Sequence, residues 1–237
     1  MKAVILAGGK GTRLAPYTRI FPKPMLPIGD KAIVEILIYQ MRRAGVTDVT
    51  LAVGHLAGLM RAFFQDGSQF GVNIGYSYED QPLGTAGPLA GIPDLTSTFM
   101  VSNGDVLTTL DMRDLIAFHK ENKGVATIAT HHRTVKIDLG VIHTNGAHTI
   151  IGYQEKPTID YHVSMGVYLF EPEVVDFIPK NAYLDFPDLV KILIAAGKKV
   201  VAYPFEGYWQ DLGRPDDYEQ ANIDFEKMRS EFLPEDD

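Results

Sequence analysis

Apolar positions recur with two different periods along this chain, and the order in which the periods alternate predicts its architecture. Short apolar or β-branched runs at residues 2–7, 49–54, 73–78 and 98–102 close on Gly, Asn or Asp and read as strands. Helix-length segments lie between them. Residues 32–44 set Ile33, Ile36, Leu37, Gln40 and Met41 at helical spacings with Gly45 as a stop, and 56–64 and 85–92 are shorter helix candidates. Strand–helix alternation of this kind builds a parallel sheet covered on both faces, where ligands bind beyond the carboxyl ends of the strands. That rule points to the loops after Ala7 and Ser102. From a helix at 111–122 onward the pattern changes to strands at 124–132, 140–143, 149–154 and 163–170. A helix at 186–196, a strand at 199–203 and a helix at 215–229 complete it. The second half is therefore expected to be α+β material attached to the same sheet.

Composition narrows the picture. A length of 237 residues with 46% hydrophobic content suits one compact domain over 1–237, and no low-complexity stretch, Gly/Ser linker or solenoid repeat marks a second. The absence of cysteine rules out disulfides, thiolate metal sites and a cysteine nucleophile, and predicts a cytoplasmic protein. The apolar run from Ala3 to Ala7 stops too soon for a signal peptide or membrane span. A net charge of −8 argues against nucleic acid as a partner. The charge is unevenly spread: residues 211–237 hold ten acids against Arg214, Lys227 and Arg229, whereas 1–29 hold Lys2, Lys10, Arg13, Arg19 and Lys23 and no acid. A purely basic opening segment in an acidic protein predicts a small polyanionic ligand there.

The first predicted strand runs into Gly8-Gly9-Lys10-Gly11-Thr12-Arg13 and then Phe21-Pro22-Lys23-Pro24. Glycines let backbone N–H groups approach phosphate oxygens closely, and successive N–H groups form an anion-binding concavity. The spacing fits neither a Walker loop, which ends in Gly-Lys-Ser/Thr, nor a dinucleotide fingerprint, whose third glycine is replaced by Leu14. AVILAGGKGTRL with FPKPMLPI resembles the signature of the sugar-1-phosphate nucleotidyltransferases. The similarity continues in order through LGTAGPL at 83–89, NGD at 103–105, EKP at 155–157 and WQDLGRP at 209–215.

This resemblance implies a Rossmann-like three-layer α/β/α fold with a mixed sheet, in which about 1–110 bind nucleotide, about 111–215 bind sugar and a C-terminal helix covers about 215–230. It further implies an enzyme that joins a sugar 1-phosphate to a nucleoside triphosphate and releases pyrophosphate. In that scheme Leu6, Ala7, Gly8, Gly9, Gly11 and Thr12 cradle the nucleotide, with Asn103 and Gly104 beside them. Arg13 neutralises the β- and γ-phosphates, and Lys23 contacts the α-phosphate. Gly84 and Thr85 face base and ribose, and Gln81 offers a donor and an acceptor to a base edge. Asp105 and Asp211 would be paired magnesium ligands, a number of carboxylates that Mg²⁺ favours. Gly140, Glu155 and Lys156 would meet the sugar and its phosphate. Where many members carry Asn-x-Gly, this chain has Ser164-Met165-Gly166, a shorter side chain without the amide.

LGTAG resembles guanylyltransferases of the mannose-1-phosphate type, so GTP is the favoured partner, with mannose 1-phosphate or a related hexose or heptose 1-phosphate; UTP and dTTP are the alternatives. Minimal members commonly self-associate, which makes a homo-oligomer one of the implications. The chain ends soon after its last helix, so a monofunctional enzyme without a long C-terminal extension is expected. Two rivals are a non-catalytic nucleotide-sugar-binding subunit, disfavoured because Arg13, Lys23, Asp105 and Asp211 are all present, and an NAD-dependent oxidoreductase, disfavoured by the missing glycine. His131, His132 and His143 have no ligand partner at helical spacing and read as surface or pocket-rim residues.

Overall fold

The structure is a computed structural model that describes residues 1–79 and 81–234; Asp80 and residues 235–237, the end of the acidic tail, lie outside the described residues. Strand β1 (Lys2–Ala7) opens the chain. A long loop leads to the short β2 (Pro27–Ile28) and β3 (Lys31–Ala32), which pair as a hairpin before α1 (Ile33–Arg43). Glu35 closes the first turn of α1 by accepting from Ala32 N, and Gly45, at φ 83°, ends the helix where Val46 N returns to Met41 O. Next come β4 (Asp48–Val53), α2 (Ala57–Phe64), β5 (Asn73–Tyr78), β6 (Phe99–Asn103), β7 (Val106–Thr108) and α3 (Met112–Asn122), whose N-terminus is capped by Asp111. The second half holds β8 (Ala126–Lys136), β9 (Val141–Thr144), β10 (Ile150–Gln154), β11 (Thr158–Phe170) and α4 (Phe186–Ala195). It ends with β12 (Val200–Phe205), β13 (Trp209–Asp211), α5 (Pro215–Lys227) and α6 (Arg229–Phe232).

Seven strands form the central sheet in the order β12-β8-β11-β6-β1-β4-β5. The half from β6 to β5 is parallel, while β11 runs antiparallel to both β6 and β8, so the sheet is mixed. Alternate residues of β1 serve opposite faces. Ala3, Ile5 and Ala7 join a core with Leu37, Met41, Phe64 and Leu115 from α1, α2 and α3. Val4 joins the other core with Phe186, Leu189 and Leu193 from α4. A third apolar cluster, with Leu14, Ile28, Leu212, Phe225 and Phe232, lets α5 and α6 clamp the loop after β1 against the segment after β13.

Two expectations need correction. Residues 85–92 do not form an α-helix; a 3₁₀ segment covers Gly87–Gly91, because Ala86 and Gly87 donate their N–H groups to Leu184 O. The strands expected at 124–132 and 163–170 reach further, to Lys136 and back to Thr158. The added residues are paired across strands but exposed, so they carry no apolar alternation to read.

Candidate active site

The glycine loop turns sharply at the carboxyl end of β1. Gly11 takes φ 59°, and a Cβ there would meet Thr18 Cγ2 at 2.9 Å and Lys23 Cβ at 3.0 Å. Thr18 Oγ1 donates to Gly11 O at 2.8 Å. The loop thus folds back onto the proline-flanked lysine that follows it, and Lys23 is buried to 8% exposure. A buried ammonium needs an anionic partner. Lys23 Nζ pairs with Asp105 Oδ2 and lies 3.9 Å from Asp211 Oδ1.

The two aspartates meet because β13 pairs antiparallel with β7, with Asp211 opposite Val106, and Leu212 N donates to Asp105 O at 3.0 Å. Asp105 is in turn set by Gly104, whose N–H donates to Leu6 O and where a Cβ would come within 2.7 Å of that oxygen. Burial raises the Asp211 carboxyl above its ordinary value, and Asp105 raises it further, against the opposing pull of Lys23 and Arg13. Two carboxylates gathered around one ammonium form a place for a cation. Magnesium, which favours one or two carboxylates and keeps the rest of its shell for water and phosphate, fits this pair. Among the described residues no group of three or more His, Cys, Asp or Glu could hold a metal.

A cleft of about 670 Å³ opens from this centre. It is lined by Leu6, Ala7, Gly8 and Gly9 of the loop, by Gln81, Gly84 and Thr85, and by Asn103, Gly104, Asp105 and Lys23. The segment with Gly84 is rigid: Gly84, at φ 79°, packs on Leu184 O, Thr85 N and Thr85 Oγ1 both donate to Asp185 Oδ1, and Phe186 N donates to Thr85 Oγ1. Thr85 therefore caps α4 from a distant part of the chain.

Other expected residues lie outside the cleft lining. Gly11 and Thr12 shape the loop behind it. Arg13 is exposed beside Gly213, where a Cβ would fall 3.3 Å from its guanidinium, and it acts electrostatically on Asp211. Gly140, Glu155 and Lys156 sit on the exposed arm around β9 and β10; Tyr153 packs on Gly140 and donates to Glu155 Oε2 at 2.9 Å. The structure does not bring these three to the cleft. Ser164 Oγ shares a 3.0 Å hydrogen bond with Tyr168, and Gly166, at φ 76°, leaves room for the Asn103 amide. His131 packs on Trp209, His132 pairs with Asp160 at 3.3 Å, and His143 faces Gly152.

Glu79, Gly54, His55, Tyr183 and Asp185 also line the cleft and were not among the expected residues. The strand-end rule finds the first three, since they follow β5 and β4 as the glycine loop follows β1. Tyr183 and Asp185 carry no such signal.

A glycine-floored cleft lined by Lys23 and Asp105, with Asp211 beside them but outside the lining, has the chemistry to take a phosphate-bearing ligand. The chain matches the nucleotidyl transferase family model over residues 2–228 and belongs to that family. It is 38% identical to a UTP–glucose-1-phosphate uridylyltransferase from Synechocystis over 93% of this chain and 62% of that protein. It is 36% identical to a mannose-1-phosphate guanyltransferase from Schizosaccharomyces pombe over 92% of this chain and, again, 62% of the relative. The chain thus spans less than two thirds of these relatives. A Bacillus anthracis protein crystallised with sucrose, provisionally assigned as a glucose-1-phosphate thymidylyltransferase, superposes with a TM-score of 0.77 at 26% identity over 94% of each chain. No helix among the described residues is long and apolar enough to cross a membrane.

Proposed function

We propose that the chain transfers a nucleotidyl group from a nucleoside triphosphate to a sugar 1-phosphate, yielding a nucleotide sugar and pyrophosphate. The observation that carries this reading is the convergence of Lys23, Asp105 and Asp211 beside the glycine loop. A phosphate oxygen of the sugar 1-phosphate forms the new bond to the α-phosphorus. The bond from that phosphorus to the β-bridging oxygen breaks, and pyrophosphate leaves with the electron pair. Such transfer depends on positioning and charge stabilisation rather than on a side-chain nucleophile. Lys23 is assigned to the α-phosphate, where charge builds during attack, and the exposed Arg13 to the departing pyrophosphate. Asp105 and Asp211 would hold magnesium, which when bound supplies charge neutralisation and orients the α-phosphorus.

Within this reading, residues about 1–110 handle the nucleotide and about 111–215 the sugar. Gly140, Glu155 and Lys156 on the β9–β10 arm, with Ser164 and Gly166, are assigned to the sugar phosphate. GTP is the favoured donor, supported by LGTAG at 83–87 and by the guanyltransferase relative, and mannose 1-phosphate or a related hexose or heptose 1-phosphate the acceptor. The uridylyltransferase relative supports UTP as the second reading. Pyrophosphate release from a panel of GTP, UTP and dTTP against sugar 1-phosphates tests both. GTP with mannose 1-phosphate is expected to be fastest and to stop with EDTA. Faster release with UTP or dTTP replaces the donor, and no release with any pair overturns the activity.

A further inference from the structure

Glu79 is the one carboxylate lining the cleft, among the described residues, that has neither a cation nor a clamp on both its oxygens. Asp105 pairs with Lys23, and Asp185 is held by Thr85 and Tyr183. Among the described residues, Glu79 Oε2 accepts only the backbone N–H of Leu83, at 3.1 Å, and Oε1 accepts nothing. Its position is nonetheless fixed. Glu79 N donates to Val53 O at 3.1 Å, the Leu83 bond ties the carboxylate to the start of LGTAG, and Oε1 lies over Gly8, where a Cβ would come within 2.8 Å of it. Half-burial raises this carboxyl above its ordinary value, and the Leu83 bond offsets that only in part. A partly desolvated acceptor held rigid with a free edge calls for donors from a ligand.

The sheet order says which part of a nucleotide meets it. Asp105 follows β6 and Glu79 follows β5, and β6 and β5 stand three strand spacings apart across β1 and β4, on the order of 14 Å. With the α-phosphate at Lys23 and Asp105, the base lies on the Glu79 side.

We propose that Glu79 selects guanine, accepting the N1–H and 2-amino hydrogens on the free edge of its carboxylate. This rests on the nucleotidyl-transfer reading above with GTP as donor. An ionised carboxylate only accepts, so it discriminates by counting adjacent donors. Guanine presents two side by side. Uracil and thymine present one N–H between two carbonyl oxygens, so the second carboxylate oxygen would face a lone pair, and adenine and cytosine set an amino group beside an acceptor nitrogen. Selection thus comes from repulsion of the wrong edge as much as from attraction of the right one.

Glu79→Gln tests this cleanly, because its amide oxygen keeps the Leu83 bond while its NH₂ turns toward the base. Binding of GTP, ITP and UTP to the full chain with Mg²⁺, measured by titration calorimetry, separates the possibilities, with melting curves checking that the variant is folded. Wild type is expected to bind GTP about tenfold tighter than ITP, which lacks the 2-amino group, as loss of one hydrogen bond implies. In Glu79→Gln the GTP-over-ITP preference should vanish, GTP should weaken by about a hundredfold, and UTP should gain on GTP. Glu79→Asp, which withdraws the carboxylate by one methylene, should also lose the preference for GTP over ITP, and serves if Glu79→Gln does not fold. Equal binding of GTP and ITP by wild type, or an unchanged preference in a folded variant, overturns the role of Glu79 and leaves the donor reading intact. A wild type that prefers UTP overturns the donor reading and guanine selection together, and the wild-type titrations alone reveal it.

Discussion

At the scale of single residues, the site is organised by Lys23. Its ammonium lies between two carboxylates, and its Cβ closes on Gly11, so the loop and the lysine are built as one unit. If Lys23 stabilises charge on the α-phosphate, Lys23→Ala should lower turnover by roughly two orders of magnitude, about 3 kcal/mol, with the melting temperature little changed. The same geometry makes Lys23 a competitor for any metal at Asp105 and Asp211. Nucleotide-free Lys23→Ala is therefore expected to bind Mn²⁺ about tenfold more tightly than wild type, as removal of a nearby like charge implies. Weaker Mn²⁺ binding in a folded variant, followed by paramagnetic resonance, would show that the lysine is not placed between the carboxylates. That Lys23 and Asp105 belong to one site was legible in the sequence because each sits in an ordered motif. The strand-end rule points to Glu79 as a residue at the cleft but gives it no role, because a glutamate after a strand has no pattern of its own; the free carboxylate edge is defined only by the packed structure.

At the scale of elements, the LGTAG segment is held by a partner a hundred residues away. Asp185 accepts from Thr85 N at 2.9 Å and from Tyr183 OH at 2.6 Å, and Thr85 Oγ1 caps α4 in return. The Tyr183 hydroxyl, followed by the Thr85 contacts, holds the Asp185 carboxyl below its ordinary value, so folding favours the ionised form. Its contribution is then complete above the unfolded value, near pH 4, and is lost as acid takes the folded carboxyl through its lowered pKa. Asp185→Asn should cost about 1 kcal/mol at pH 7, and the gap to wild type in urea unfolding should close as the pH falls below about 4. A gap that widened in acid would contradict the direction of the shift. The parallel half of the sheet was legible because β1, β4 and β6 are apolar runs that end at turn residues. The outer parts of β8 and β11 were not, since cross-strand pairs such as Thr134 with Asp160 leave no periodic apolar trace. The three residues of β13 were likewise too few to show a period.

At the scale of the whole molecule, that short strand brings the two aspartates of the candidate site together. The chain completes the sheet with β12, returns along β7, and delivers Asp211 beside Asp105, 106 positions earlier in sequence, while α5 and α6 pack Leu212 against Leu14 of the glycine loop. The pairing of these aspartates was implied by resemblance alone, because no local pattern joins residues so far apart. Their closeness makes a specific demand. In the proposed reaction two polyanionic substrates would meet in a protein of net charge −8 and need compensating positive charge, of which the basic loop supplies only part. If Asp105 and Asp211 hold one magnesium ion, then Asp105→Asn and Asp211→Asn should each remain folded, slow pyrophosphate release and raise the magnesium concentration needed for half-maximal rate. Residues that act through one ion do not fail independently, so the double variant should be little slower than the worse single one. Weak magnesium binding in the absence of nucleotide, strengthened when nucleotide is added, is the matching calorimetric result. Defects that multiply in the double variant with an unchanged magnesium requirement would mean that the two carboxylates serve separate purposes, one as the partner of Lys23 and the other as a solvent-facing acid on β13.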